Sequence, residues 1–260
     1  MALRITQVDA FTDRPFGGNP AAVCILNGPR EDAWMQALAA EMNLSETAFL
    51  LRRPDGDFHL RWFTPAVEVA LCGHATLASA HALWEQGYVH PEAACRFHTQ
   101  SGLLTAQRRG DWIELDFPAT VAEACEAAAG LAGALGAPPR WVGRNRFDYL
   151  VELADESAVR TLQPDHAALK KLPVRGVIVT ARGEAPYDFV SRFFAPGSGI
   201  EEDPVTGSAH CALGPYWQGA LGKPEFLAFQ ASKRGGVVRV RLAGDRVLLG
   251  GQAVTVLERA

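Results

Sequence analysis

The chain has 260 residues, 48% hydrophobic and 21% charged, with 25 basic against 29 acidic side chains and a formal net charge of −4. That length suits one large domain or two of ordinary size, and the acidic balance gives no electrostatic pull toward nucleic acid or an anionic membrane. No apolar run approaches the roughly 18 residues a membrane-spanning helix needs, and the first eleven residues alternate like a strand and lack an apolar signal core, so a cytoplasmic protein is expected.

In chain order, Arg4 to Phe11 alternates as a strand, Phe16-Gly-Gly-Asn-Pro20 is a turn, and Ala21 to Leu26 is a more buried strand. Glu31 to Met42 has acidic residues in its first turn and helical apolar spacing, with Asn43 as a C-cap. A strand from Thr47 to Leu51 follows, which sets Glu46 on a helix-to-strand junction. Phe58 to Phe63 alternates as a strand, and Gly73 to Gln86 is a helix ended by Gly87. Strands follow at 96–98, 103–107 and 112–117. The Ala-, Gly- and Pro-rich stretch from Pro118 to Pro139 predicts one helix joining two halves, with the boundary near residue 120 (domains 1–120 and 121–260) and a last strand able to pack back on the first half. The second half predicts strands at 149–153, 174–181 and 189–194, a short helix over 165–172, a helix from near Pro204 that Gly214-Pro215 kinks or restarts, and closing strands at 237–242, 247–249 and 253–257.

One stretch is written twice. Arg61 to Trp84 and Arg192 to Trp217 each run from Arg and two aromatics through a Pro and acidic residues to a glycine, then into a small-residue helix closed by Trp. The arginines lie 131 residues apart and the glycines, Gly73 and Gly207, 134 apart, so the second copy carries a three-residue insertion. A weaker echo links Phe97 onward with Phe229 onward. A period this long is not that of a solenoid; it points to two similar domains from a duplication, with a ligand cleft where equivalent loops face each other.

The candidate chemistry sits at the two helix starts, Leu71-Cys-Gly-His-Ala75 and Val205-Thr-Gly-Ser-Ala209. Glycine admits close approach of a ligand, and the first free N–H groups of a helix carry partial positive charge, so two opposed starts could hold a small carboxylate. Three titratable residues join them. His74 follows the first glycine. Asp203 precedes Pro204 and equally fits a helix N-cap with Pro at the first position. Glu46, among Leu44, Ala48 and Phe49, is expected to be partly desolvated, a setting suited to proton transfer, although a solvent-facing turn glutamate fits the same residues. The five cysteines (Cys24, Cys72, Cys95, Cys125 and Cys211) are odd in number and lack CxxC spacing, and no His/Cys/Asp set has metal spacing. Neither a metal nor an organic cofactor is expected.

With these residues assembled, the chain resembles the PhzF family, phenazine-biosynthesis isomerases with the diaminopimelate-epimerase fold. The signatures are Val8-Asp-Ala-Phe11 with Gly18-Asn-Pro20, Leu44-Ser-Glu-Thr-Ala-Phe49, Arg61-Trp-Phe-Thr-Pro65 with Glu68, Leu71-Cys-Gly-His-Ala-Thr76, Thr99-Gln-Ser-Gly102, Glu202-Asp-Pro-Val-Thr-Gly-Ser-Ala-His210 and Gly250-Gly251, spread in order over nearly the whole chain. The resemblance implies an α+β protein of two pseudo-symmetric domains, each a curled, barrel-like mixed sheet around a central helix, assembled as a homodimer. It implies cofactor-independent proton abstraction and return on a small carboxylate-bearing substrate in the interdomain cleft. Glu46 maps to the base, His74 and Asp203 to groups that assist protonation and bind an amino or hydroxyl group, and Gly73, Gly207 and Ser208 to carboxylate contacts, with Cys72 beside them. The phenazine enzymes carry a glutamine a few residues after the Gly-Ser-Ala motif, and Cys211-Ala-Leu-Gly-Pro215 offers none. The machinery carries over; the phenazine substrate does not. Rival readings are an amino-acid racemase or epimerase, for which Cys72 matches a first catalytic thiol but no second stands near 203–205, and a non-catalytic small-molecule binder.

Overall fold

The computed structural model describes residues 3–259. They form two compact units, one made of the residues up to Asp116 together with those from Gly250 onward, the other of Phe117–Leu249.

In the first unit, β1 (Ile5–Ala10) pairs antiparallel with both β2 (Asn19–Leu26) and the C-terminal strand Ala253–Arg259. The helix α1 (Asp32–Met42) stops where Asn43 takes a left-handed φ of 49° and returns its N–H to the Ala39 carbonyl. Asparagine tolerates that conformation, so the chain turns and β3 (Glu46–Arg52) begins three residues later. β2 and β3 run parallel, and β3 pairs antiparallel with β4 (Phe58–Phe63), which is flanked by the short β5 (Glu68–Val69). β4 lies parallel to β6 (Cys95–Thr99), and β6, β7 (Gly102–Arg109) and β8 (Trp112–Pro118) form an antiparallel meander. The helix α2 (Gly73–Glu85) is apolar or small on nearly every side and ten of its 13 residues are buried, so it is an internal helix rather than a surface amphipath. It packs on β1, β2, β3, β7 and the C-terminal strand. Gly251 allows that approach: a Cβ there would meet Leu77 Cδ1 of α2 at 2.6 Å.

The second unit repeats the order. β9 (Glu123–Ala124), α3 (Leu131–Leu135), β10 (Trp141–Arg144) and β11 (Asp148–Glu152) come first, then α4 (Glu156–Thr161) and α5 (His166–Leu169). β12 (Gly176–Arg182), β13 (Phe189–Phe194), α6 (Gly207–Leu221), β14 (Glu225–Gln230), β15 (Gly236–Ala243) and β16 (Arg246–Gly251) follow. β11 and β12 are parallel, β12 and β13 antiparallel, β13 and β14 parallel, β14 and β15 antiparallel. This is the sequence of relations seen in β2, β3, β4, β6 and β7, with α2 and α6 in equivalent places. The written duplication is therefore a duplication of fold. Leu131, Leu135, Val151, Val179 and Phe194 anchor the second core.

Four expectations are corrected. The stretch after Pro118 holds only the five-residue α3, bounded by Gly130 and Gly136 at φ of 84° and 73°, and Leu131, Ala134 and Leu135 bury it in the second core. It therefore belongs to that unit and does not join two halves. The short helix expected over 165–172 is one turn, capped by the Asp165 carboxylate on the Ala168 N–H at 3.0 Å. The helix expected near Pro204 starts at Gly207 with Thr206 as N-cap. Gln230 explains the delay: its amide accepts the Thr206 N–H at 2.8 Å and donates to the Asp203 carbonyl at 2.8 Å, holding 203–206 outside the helix. Finally, α6 runs unbroken through Pro215. The carbonyl that proline leaves unpaired, that of Cys211, accepts the Thr120 N–H at 3.0 Å.

Candidate active site

Glu46 is the first residue of β3 and pairs with Ala21 on β2. Cys72, extended at φ −146°, is the N-cap of α2, and Gly73 and His74 begin the helix. These positions bring three side chains together. His74 Nε2 lies 3.1 Å from Glu46 Oε2, and Cys72 Sγ lies 3.5 Å from His74 Nδ1 and 4.0 Å from Nε2. Glu46, Cys72 and His74 are 9%, 7% and 5% exposed, so the cluster is almost out of water. The Glu46–His74 contact is ionic rather than a well-aligned hydrogen bond, since Glu46 Oε2 makes none among the described residues.

Burial works against a charged His74, but the neighbouring Cys72 sulfur and the Glu46 carboxylate outweigh it and hold its pKa well above the ordinary histidine value. Of those two neighbours, Glu46 is the decisive one near neutrality. Burial first, and then the Glu46 charge, push the Cys72 thiol up to about 11, so the sulfur is uncharged there. The resting site is thus an imidazolium held by a carboxylate, with a neutral thiol alongside. Asn19 closes the far side of the ring, its Nδ2 3.2 Å from His74 Nδ1. An asparagine amide can present its oxygen instead, the orientation that a doubly protonated ring requires. Sequence reasoning treated Asn19 as part of a turn; the signal was the Gly18-Asn-Pro20 signature. Gly18 has φ 58°, and a Cβ there would crowd Thr12 Cγ2 at 3.1 Å, so the turn fixes where β2 and Asn19 begin.

In the second unit the predicted residues gather at the start of α6. Asp203 is not an N-cap, because the helix begins four residues later. It is buried, and its Oδ2 accepts the Thr206 hydroxyl at 2.5 Å. Ser208 accepts a hydrogen bond at 3.1 Å from Arg175, which also grips Asp148 through two nitrogens at 2.9 and 2.5 Å. Neither α2 nor α6 has a side-chain cap or an acidic residue in its first turn.

The two copies differ in chemistry. Glu46 heads β3, and the residue that heads β12 is Gly176; Cys72 and His74 correspond to Thr206 and Ser208. A Cβ at Gly176 would meet Phe193 Cζ at 2.5 Å and the Phe194 carbonyl at 2.9 Å, so that position has no room for a base. Cys211, the thiol of α6, is fully inside the helix body, and burial pushes it up to about 12. The second unit therefore offers no counterpart to Cys72 for a two-thiol racemase. An open groove of about 480 Å³ in the first unit, lined by Leu26, Met35, Phe49, Arg53, Arg61 and His98 among others, involves none of the predicted residues.

The repeated parallel–antiparallel order around a buried helix defines the class: a duplicated α+β fold of the diaminopimelate-epimerase type. Residues 8–259 match the profile of the phenazine biosynthesis-like proteins, PhzC-PhzF. An uncharacterized isomerase of Halalkalibacterium halodurans is 56% identical over 259 residues, covering 99% of this chain and 97% of that protein. A crystal structure of a PhzF-family protein from Enterococcus faecalis is 42% identical, superposes with a TM-score of 0.95 and covers 99% of this chain and 98% of that one. A probable proline racemase from Agrobacterium radiobacter, 15% identical with a TM-score of 0.66 over all of this chain and 92% of that one, shares the fold. The chain belongs to the PhzC-PhzF family and is an isomerase.

Proposed function

We propose that this isomerase moves a proton between positions of a small carboxylate-bearing substrate, with Glu46 as the general base. The observation that carries the reading is the buried contact of 3.1 Å between Glu46 and a histidine held in its charged form. The imidazolium lies against the Glu46 carboxylate, the group placed to accept a proton from carbon. As the C–H bond breaks, its electron pair moves into the substrate's conjugated system. Protonated Glu46 or the adjacent His74 imidazolium then returns a proton, so one is removed and one restored and no redox partner is called for.

Asp203 and His74 assist protonation and bind the substrate's amino or hydroxyl group. Gly73, Gly207 and Ser208, at the uncapped starts of α2 and α6, take its carboxylate, with Arg175 reinforcing Ser208. Cys72, neutral near pH 7, lines the site beside the base and is not a second acid. In this reading the protein works without a cofactor, as a cytoplasmic homodimer; among the described residues no helix is long and apolar enough to cross a membrane.

The test is proton–deuterium exchange in D₂O over a panel of cyclic and amino-bearing carboxylates. Exchange into one class, lost on Glu46→Gln, supports the reading. Exchange that survives Glu46→Gln removes Glu46 as the base.

A further inference from the structure

We propose that Glu46, Cys72 and His74 form a binding site for Zn²⁺, which takes the place of the mobile proton and silences the base. The donor set is a carboxylate oxygen, a sulfur and an imidazole nitrogen, all within 4.8 Å of one another and all on buried residues. Ligand bonds of about 2.3 Å to sulfur and about 2.0–2.1 Å to nitrogen and oxygen imply donor separations of roughly 3.3–3.6 Å around a tetrahedral ion. The observed 3.1 Å from His74 Nε2 to Glu46 Oε2 and 4.0 Å from Nε2 to Cys72 Sγ lie within about half an ångström of those values.

A second observation points the same way. Glu46 Oε2 is buried, makes no aligned hydrogen bond among the described residues and lies 3.1 Å from His74 Nε2, so it already faces the other donors. The mixture of sulfur, nitrogen and oxygen selects a borderline ion such as Zn²⁺ and disfavours Mg²⁺ or Ca²⁺, which take oxygen ligands. Three protein ligands leave the fourth position to water. On binding, the Cys72 and His74 protons leave to solvent. The other carboxylate–histidine cluster, Asp55, Asp57 and His98, does not compete: Asp55 is exposed and the other two only half-buried, sulfur is lacking, and the carboxylates are paired with Arg53 and Arg96. In the second unit Gly176, Thr206 and Ser208 stand where the three donors stand in the first, so the equivalent place there offers no such donor set. The spacing hid it from the sequence, because the carboxylate comes from β3 and the other two from the start of α2.

Coordination stands on the geometry alone; silencing rests on Glu46 being the base. The experiment is a titration of Co²⁺ into the Cys125→Ser protein, which removes the exposed thiol, read by the thiolate-to-cobalt charge-transfer band and the d–d bands of tetrahedral Co²⁺. The expected result is saturation at a single site, displacement by Zn²⁺ but not Mg²⁺, and loss of the charge-transfer band on Cys72→Ser. Glu46→Gln keeps the shape of the site and should weaken binding by more than the roughly 10–100-fold that loss of an outer-shell partner produces. Absence of the band, or its survival in Cys72→Ser, overturns the site. Deuterium exchange that continues with the site filled overturns the silencing and counts against Glu46 as the base. A Glu46→Gln protein that loses exchange, where no cobalt band had formed in its parent, overturns the metal site and leaves the base in place.

Discussion

His74 Nε2 and Glu46 Oε2 meet at 3.1 Å with side chains only 6% and 12% exposed, so the imidazole and the carboxylate face each other almost out of water. Glu46→Gln preserves volume and removes both the base and the counter-charge. Substrate exchange or turnover should fall by roughly 10²–10⁴, with far-UV circular dichroism unchanged. A variant that keeps its activity would move the base elsewhere.

The same pair sets a pH dependence. His74 has its folded pKa raised well above the ordinary 6.5, burial opposing and Cys72 and Glu46 prevailing. A raised histidine pKa means that the folded state binds the proton more tightly than the unfolded chain. Its stabilisation is fully present below about 6.5 and is lost as pH rises through the folded value. Nitrogen-15 NMR should show His74 still doubly protonated at a pH where a histidine of ordinary pKa is neutral. The stability gap between the protein and His74→Gln should narrow as pH rises through that range.

Sequence reading located most strands because β4 and the N-terminal strand alternate and β2 is a continuous apolar run. It placed Asn43 and Gly73 correctly because local conformation decides those positions. It misplaced the start of α6 because the determinant, Gln230, lies 24 residues beyond Thr206 and acts through side-chain hydrogen bonds. It missed α4, whose cap is Asp155 at 2.8 Å from the Ala158 N–H, because six residues give too short a helical pattern. At the site, the motifs singled out Glu46 and His74, but no spacing rule could show that Asn19 would reach the imidazole. The Asp203–Thr206–Gln230 network was invisible for the same reason.

The repeated Arg-aromatic-aromatic motif forms the same ion pair in both units, yet the two should differ in worth. Arg61 holds Glu68 at 2.7 and 2.8 Å and Asp32 at 2.7 Å, with a third of its side chain exposed. Arg192 holds Glu202 at 2.7 and 3.1 Å and also donates to the Val159 and Leu162 carbonyls at 3.2 and 2.7 Å, with its side chain 10% exposed. Arg61→Ala should lower stability by about 1 kcal/mol or less. Arg192→Ala strands a half-buried carboxylate and two carbonyls that the buried guanidinium served and should lower it by more, about 3 kcal/mol. Urea unfolding of the two variants measures the contrast, and equal losses would contradict it.

His210, on α6, behaves oppositely to His74. Its Nδ1 donates to the Thr206 carbonyl at 2.8 Å, its Nε2 has no partner among the described residues, and burial pushes its pKa down to about 4. Between about 6.5 and 4 the unfolded chain binds a proton that the folded one refuses, so stability falls as pH drops through that window and levels off below it. The loss is on the order of 3 kcal/mol at most. His210→Gln should flatten that part of the stability profile while leaving the region above pH 7 nearly parallel to the parent.

Pro215 provides a separate test of the second unit. A proline inside a helix ordinarily costs about 3 kcal/mol, through the lost N–H and the clash with the carbonyl four residues earlier. Here that carbonyl, on Cys211, already accepts the Thr120 N–H at 3.0 Å, and α6 continues to Leu221. The fold has therefore absorbed most of the penalty. Pro215→Ala would supply an N–H whose acceptor is already engaged, so stability should change by less than about 1 kcal/mol rather than rise by the full helix-interior value. Hydrogen exchange at the Thr120 amide distinguishes the explanations. Protection that persists in Pro215→Ala means the Thr120 bond is independent of the proline, whereas a large gain in stability with Thr120 released would show that the proline strains α6 and that Thr120 merely fills the gap it leaves.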